Sequence, residues 1–351
     1  YQNRRAFQFE WQSFHRQLIR DFLAAIDQQL CQIAPDLPLL MTLPNNAFVP
    51  GETRTTANRE AAAWMMDIHG CKVAAGHGDA LYSINYPLPH VNYALLHSYA
   101  PDKPVLNMKG DIQVDAQADP EMHYSLVQSA LWEAVMSGMN GMALASDSSV
   151  FEYPESVEAY ITAARDINRL AEIILAFQRA PAEIGILFSE ASKIMDDGMP
   201  HLESAKYAFE GASFAGYSLR FVTESQIIKG ALDRLNVLIL PNTLAVSDET
   251  FAQLSAYVDA GGTVARVGNP IPYNERGMSR SDVIRSTGDT VLVRGLNLPT
   301  EYLHAMDAVQ HAGALPEITR PIHGSGYPLE GVRSRYVTLN NEKYLSIINL
   351  R

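Results

Sequence analysis

Apolar positions near the start of the chain recur at helical spacing. Phe14, Leu18, Ile19, Phe22, Ile26 and Leu30 lie three or four residues apart, which predicts a long amphipathic helix that Pro35 ends. From residue 37 to 150 the pattern changes. Short apolar runs, LPLLMTL (37–43), CKVAAGHGDALYSINYP (71–87, only its first part a strand), KPVLNM (103–108) and NGMALAS (140–146), alternate with helix-period segments such as 57–68 and 120–137. The segment 120–137 carries full punctuation, with Asp119 as N-cap, Pro120 at the first helical position and Gly138 past the end. Strand–helix alternation of this kind predicts parallel strands joined by crossover helices. Four such units make either half of an eight-stranded barrel or a small open sheet, and periodicity does not choose between them.

A long helix is expected over 155–178, with Val157, Tyr160, Ile161, Ala164, Ile167, Leu170, Ile174 and Leu175 on one stripe. A second α/β segment follows. Strands are predicted at 182–189, 219–223, 236–241 and 263–268, and helices at 201–216 and 247–262, the latter capped by Ser247 and closed by glycines. That order is doubly wound and flavodoxin-like. Residues 280–351 are mixed and finish in two alternating runs about Asn340-Asn341, a hairpin signal. The expected domains are therefore 1–178, 179–279 and 280–351. The helix-like opening and the closing hairpin both read as cuts through a larger protein.

Composition narrows the function classes. The 351 residues are 47% hydrophobic and 19% charged, so the chain is globular, and its formal net charge of −12 argues against nucleic acid as a partner. No run approaches 18 uninterrupted apolar residues, so no membrane partner is expected, and no leader pattern opens the chain. The two cysteines, Cys31 and Cys71, sit in no metal or redox motif; they fit a reducing compartment, and a cytoplasmic location is expected. The ten histidines form no HxxxH or His–Cys cluster, so neither metal nor organic cofactor is expected.

Candidate chemistry gathers at the ends of the first set of strands. KPVLNMKGDIQV (103–114) resembles the seventh strand of retaining glycosidases built on (β/α)8 barrels, where a Lys-Pro-apolar run ends in the nucleophilic glutamate. Here that slot holds Lys109. More broadly, the order of late barrel strands, linking helix, flavodoxin-like domain and the start of a β-domain resembles the microbial β-galactosidases whose barrel is followed by a trimerisation domain. FEWQSFHRQLIRDFLAAIDQQLCQIAPDLPLLMTLPNN is similar to that family's helix before strand five, the strand itself and its terminal Asn, here Asn45 or Asn46. DALYSINYP (79–87) is similar to the end of strand six, and LNVLILPNTLAVSDETFAQLSAYVDAGGTVARVG to the trimerisation domain.

The resemblance implies strands five to eight of a barrel, a carbohydrate substrate, a retaining mechanism and a homotrimer. Such a mechanism uses two carboxylates about 5–5.5 Å apart. The acid/base would stand on strand four, upstream of Tyr1. Lys109 cannot be a glycosyl nucleophile, because its ammonium is protonated at neutral pH. Asp111 has the right chemistry but lies roughly 7 Å further along an extended strand. Only a bend at Gly110 would bring it back. If the strand runs on regularly, Asn107, Lys109 and Asp111 share one face. His77, Asp79 and Tyr86 after strand six, Asn45 after strand five, and Ser146 and Asp147 after strand eight are candidates for sugar contact, set against ordinary turn chemistry. Glu10 belongs with the helix N-terminal dipole. Trp64 and Trp132 fall in helix patterns and read as core, while Trp11 stays open to either reading.

Two rivals remain. An amidotransferase-like enzyme in 182–268 would need a cysteine nucleophile that this segment lacks, and AGGTVARVG is not the GxGxxG of a dinucleotide site. A non-catalytic carbohydrate-binding or assembly protein on the same fold is favoured by Lys109.

Overall fold

The helical spacing near the N-terminus does form one long helix, α1 (Gln2–Ile33). A computed structural model of the chain describes every residue except 1, 43–46, 49–58, 79, 80, 196–198, 268–270, 283, 285–290, 294–297 and 325. The chain divides into two units, one of residues 25–46, 59–180 and 331–351, the other of residues 1–24, 47–58 and 181–330. Helix α1 contributes to both. Its stripe is not a core face along its whole length: Phe14, Leu18 and Phe22 are each more than half exposed, at 57%, 52% and 64%.

In the first unit the predicted apolar runs become parallel strands. These are β1 (Leu40–Thr42), β2 (Ile68–Cys71), β3 (Ala74–Gly76), β4 (Val105–Gln113) and β5 (Gly141–Leu144). β1 pairs with β2, β2 with β4, and β4 with β5, all parallel. β3 takes over from β2 further along the same side of β4. Among the described residues there are thus four strand positions, half of a barrel's eight, and β4 lies between the β2–β3 line and β5. Helices α2 (Arg59–Met65), α3 (Leu88–Tyr99) and α4 (Pro120–Met136) make the crossovers. Helix α4 begins where its sequence says it should: the Asp119 carboxylate accepts the N–H of Met122 at 2.8 Å. A cap of this type contributes about 1 kcal/mol.

The long helix predicted over 155–178 is two helices, α5 (Pro154–Arg169) and α6 (Ala171–Arg179). They part at Leu170, whose φ of −101° and ψ of 14° leave the helical range. No glycine or proline marks that break, so the apolar periodicity runs straight through it.

The second unit is doubly wound. Its strands β6 (Ile184–Phe188), β7 (Leu219–Thr223), β8 (Val237–Leu240), β10 (Thr263–Val267) and β12 (Val291–Val293) lie parallel in the order β7-β6-β8-β10-β12. The short strands β9 (Ala245–Val246) and β11 (Tyr273–Asn274) form a separate parallel pair. Helices α7 (Glu190–Met195), α8 (Met199–Ser213), α9 (Glu224–Ile228), α10 (Asp248–Asp259) and α11 (Pro299–His311) complete the unit. Leu187, Val222, Leu238, Leu254, Val258 and Val264 share one buried core. This is why β6 and β8 read as unbroken apolar runs: parallel strands inside the sheet are covered on both faces.

Residues 331–351 return to the first unit as the antiparallel hairpin β13 (Val332–Leu339) and β14 (Glu342–Asn349). Asn340 and Asn341 turn it with φ of 52° and 65°, the two positive φ angles that a two-residue hairpin turn requires. Among the described residues, no helix is long and apolar enough to cross a membrane.

Candidate functional site

β4 holds the stretch that carries the chemistry, and its alternation is interrupted. His69–Cys71 of β2 pair with Val105–Asn107, and Ala74–Gly76 of β3 with Asp111–Gln113, so β4 has one residue more than the line beside it. The register with β5 slips by one between Asn107 and Gly110 as well. Both flanks therefore report the same β-bulge, which inserts one residue and re-aims the side chains beyond it. Burial follows: Val105 and Asn107 are buried, then Gly110 and Ile112. The expectation that Asn107, Lys109 and Asp111 share a face fails for this reason.

Asn107 points to the helix side. Its amide donates to the carbonyl of Val73 at 2.7 Å and to the Tyr93 hydroxyl on α3 at 2.8 Å, while its oxygen accepts the N–H of Val73 at 3.2 Å. Fully buried, it closes the gap between β2 and β3, where regular pairing lapses. Burial also raises the pKa of the Tyr93 phenol, so it stays protonated as a hydrogen-bonding group.

Lys109 and Asp111 lie beyond the slip. Lys109 is exposed and has no hydrogen-bond or ion-pair partner among the described residues. Asp111 is half-buried, and its carboxylate accepts from the Ser148 hydroxyl at 3.0 Å. Next to Ser148, the Ser149 hydroxyl donates to the carbonyl of Ile112 at 2.9 Å and accepts the N–H of Val114 at 3.0 Å. The turn after β5 is thus stitched to the end of β4 by two serines. Gly110 serves close packing and does not swing Asp111 back: an added Cβ would lie 2.4 Å from Met142 Cγ.

The other candidates are more scattered. His77 is half-buried, in a bridge with Ile84, and its Nε2 is buried without a hydrogen-bond partner. Tyr86 is 7% exposed, its ring 5.5 Å from that of His90 and 5.4 Å from that of Tyr82. Asp147 is exposed in the turn after β5, beside Ser146. Asn45 and Asp79 lie outside the described residues. Trp64, read as core, is 42% exposed and donates its indole N–H to the carbonyl of Tyr99. Glu10 pairs with Arg276 at 2.8 Å on the second unit's surface.

Sequence reasoning passed over Lys72, Ser148 and Ser149. Lys72 falls in the gap between β2 and β3, exposed between buried Cys71 and Val73. The serines could have been flagged as caps, since the short 3-10 turn Ser149–Glu152 begins behind Ser148. Among the described residues no group of His, Cys, Asp and Glu side chains could hold a metal ion.

Set beside known structures, the fold has clear counterparts. An apo exo-carrageenase GH42 from Bacteroides ovatus matches with a TM-score of 0.80 at 17% identity, over 98% of this chain and 50% of that one. The fold is GH42-like. Gan42B, a GH42 β-galactosidase from G. stearothermophilus, matches at 0.68 with 13% identity, over 98% of this chain and 63% of its own. A β-galactosidase from Bacillus circulans sp. alkalophilus matches at 0.67 with 12% identity, over 98% and 62%. The chain therefore spans between half and two thirds of these GH42 structures. No protein-family model and no curated protein matches the sequence. At such identities the likeness concerns the fold: a partial (β/α)8 barrel with a glycoside hydrolase-like architecture.

Proposed function

We propose that this chain forms the sugar-facing half of a glycoside hydrolase-like protein acting on β-linked galactosides or related sugars. The observation that carries the proposal is the coincidence of two features. The fold is GH42-like, and the Lys-Pro-apolar run of 103–109 leads into and forms the first part of β4 (Val105–Gln113), the strand between the β2–β3 line and β5. That is the seventh-strand position if β1 is strand five. Retaining chemistry would need a carboxylate where Lys109 stands, with a partner about 5–5.5 Å away. Lys109 is a cation, and Asp111 is engaged by Ser148.

A second reading, a non-catalytic carbohydrate-binding or assembly protein on the same fold, is favoured by that same lysine. Kinetics separate the two. In a protein carrying a complete barrel, Lys109→Glu should raise turnover of an activated β-galactoside by at least about tenfold. A carboxylate there stabilises the oxocarbenium-like transition state that an ammonium repels. Asp111→Asn should matter only if Asp111 has become the nucleophile. Brisk turnover that neither change alters would sink the proposal.

We also propose that the flavodoxin-like segment 179–279 assembles the protein into a homotrimer, the role implied by the resemblance of LNVLILPNTLAVSDETFAQLSAYVDAGGTVARVG to the trimerisation domain of the microbial β-galactosidases. Light scattering should show a trimer at micromolar concentration, and a strict monomer at high concentration would overturn this.

A further inference from the structure

The loop after β3 is tied to the far end of the C-terminal hairpin, within the first unit. Asn85 donates its N–H to Gly76 and Gly78 donates to Ser83, so the chain doubles back between them. Ser83 then gives both its N–H and its hydroxyl to the Leu350 carbonyl, at 2.6 and 3.1 Å. Leu350 donates its own N–H to Gly331 at 2.8 Å, and its side chain is fully buried. The position of β13 and β14 therefore fixes the loop that carries His77 and Tyr86.

The hairpin is in turn seated against histidines of α3. Arg333 and Arg335 are two apart on β13 and leave the same face. His90 and His97, seven apart on α3, share one side of that helix. Arg333 donates to Ser137, and the next residue packs on His97: a Cβ added at Gly138 would lie 2.7 Å from His97 Cβ. Arg335 donates to the carbonyl of Phe177 at 3.3 Å, while the carbonyl of Gln178 accepts from His97 Nε2 at 3.1 Å. Tyr86 bridges the other pair, with its ring 5.5 Å from that of His90 and its hydroxyl acting on Arg333.

This seat is stable only while the rings are neutral. His90 is 0% exposed, and among the described residues neither of its ring nitrogens has a hydrogen-bond partner. His97 donates from Nε2, and its buried Nδ1 has no partner either. A further proton on either ring would be desolvated, unbonded and close to an arginine. Burial, then Arg333, pushes the pKa of His90 down to about 3. Burial also lowers that of His97; Arg335 and His69 add to the shift, and the Gln178 carbonyl and Asp102 oppose it. His69 on β2, beside Lys103, is lowered chiefly by burial, and Glu133 is committed to Arg333. Once the hairpin lifts, water reaches the rings and they titrate near 6.5. The open form then binds more protons, so closure holds fully above about pH 6.5 and weakens as the pH falls below it.

We propose that the β13–β14 hairpin is an acid-released strap that holds the loop of His77 and Tyr86 in place. The strap stands apart from the galactoside reading; only its bearing on sugar contact by that loop rests on it. Hydrogen exchange of the full chain, with rates normalised to those of unstructured peptides at each pH, tests it without any sugar. Each histidine adds up to about tenfold per pH unit to the opening constant below about pH 6.5. Between about pH 7 and about pH 5, opening of 331–351 and of 81–87 should therefore rise together by at least about tenfold. Helix α4 should keep its protection. In the double variant His90→Gln with His97→Gln, checked for folding by circular dichroism, the rise should disappear. Arg335→Gln leaves both rings in place but removes a cation that opposes their charging, and the rise should shrink. Exchange that does not respond to pH overturns the strap, as does an equal rise in α4, which would mean unfolding of the whole unit. A response of the hairpin without the loop overturns the coupling between them. An unchanged response in the double variant, or in Arg335→Gln where the double variant does not fold, removes the histidines from the account and overturns the proposal.

Discussion

Replacing Arg333 with alanine should destabilise the first unit by about 3–5 kcal/mol, the cost of leaving a buried charge without its partner. Arg333 on β13 pairs with Glu133 on α4, and both are buried, the glutamate completely. The guanidinium also donates to the Ser137 hydroxyl at 3.1 Å, and that hydroxyl donates to Glu133 at 3.3 Å. Burial lowers the pKa of Arg333, an effect that Tyr86 partly opposes. Among the described residues the Glu133 Oε2 has no hydrogen-bond partner, so the carboxylate has little support besides this arginine and Ser137. Removing the arginine strands an ionised group among apolar atoms. The double replacement Glu133→Leu with Arg333→Met should cost far less, because it removes both desolvation penalties together. Urea unfolding of the three proteins decides. A loss below about 1 kcal/mol in Arg333→Ala would show that the pair is held apart or hydrated in solution.

That ion pair was invisible in the sequence, and the reason is general. Glu133 sits inside an amphipathic helix pattern and Arg333 in a strand pattern, 200 residues away. Local periodicity marks both as surface charges. Their pairing depends on the hairpin packing against the half-barrel, which no short-range signal encodes. Elements whose signals are local were legible instead. Helix α4 starts at its aspartate cap, the hairpin turns on its two asparagines, and β7 covers the 219–223 span read for it. Leu170 is the counter-case, because its break leaves the 3.6-residue stripe intact and no proline or glycine announces it.

The site was legible in position but not in orientation. The run 103–109 locates β4, yet the facing of its side chains depends on a bulge set by two neighbours, the β2–β3 line and β5. Period-2 alternation assumes an unbroken ladder, and one inserted residue reverses every later position. Asn107 therefore became a buried bridge to Val73 and Tyr93, and Lys109 became an exposed cation.

Acid should weaken the second unit through one histidine. His201 on α8 is 1% exposed and its hydrogen bonds define its tautomer. Its Nε2 accepts the backbone N–H of Ser189 at 3.0 Å, and its Nδ1 lies 2.7 Å from the carbonyl of Pro241, which only an N–H can satisfy. A proton on Nε2 would face another N–H. Burial pushes its pKa down to about 4; the Pro241 carbonyl and Glu190 oppose the shift and Lys193 adds to it. In the unfolded chain the same group titrates near 6.5. Between these values the unfolded state binds more protons, so stability falls as pH drops from about 6.5 to about 4 and levels off below. The difference between these two values corresponds to about 3 kcal/mol. His201→Gln keeps an acceptor and a donor but removes the titration. Its unfolding free energy, whatever its value at pH 7, should decline less than that of the parent over this window, by about 3 kcal/mol. His90, buried in the first unit with its pKa lowered to about 3 by burial and by Arg333, titrates in both proteins and cancels in the difference. Parallel pH profiles for the two proteins would mean that His201 is hydrated or already protonated when folded, contrary to the tautomer its contacts require.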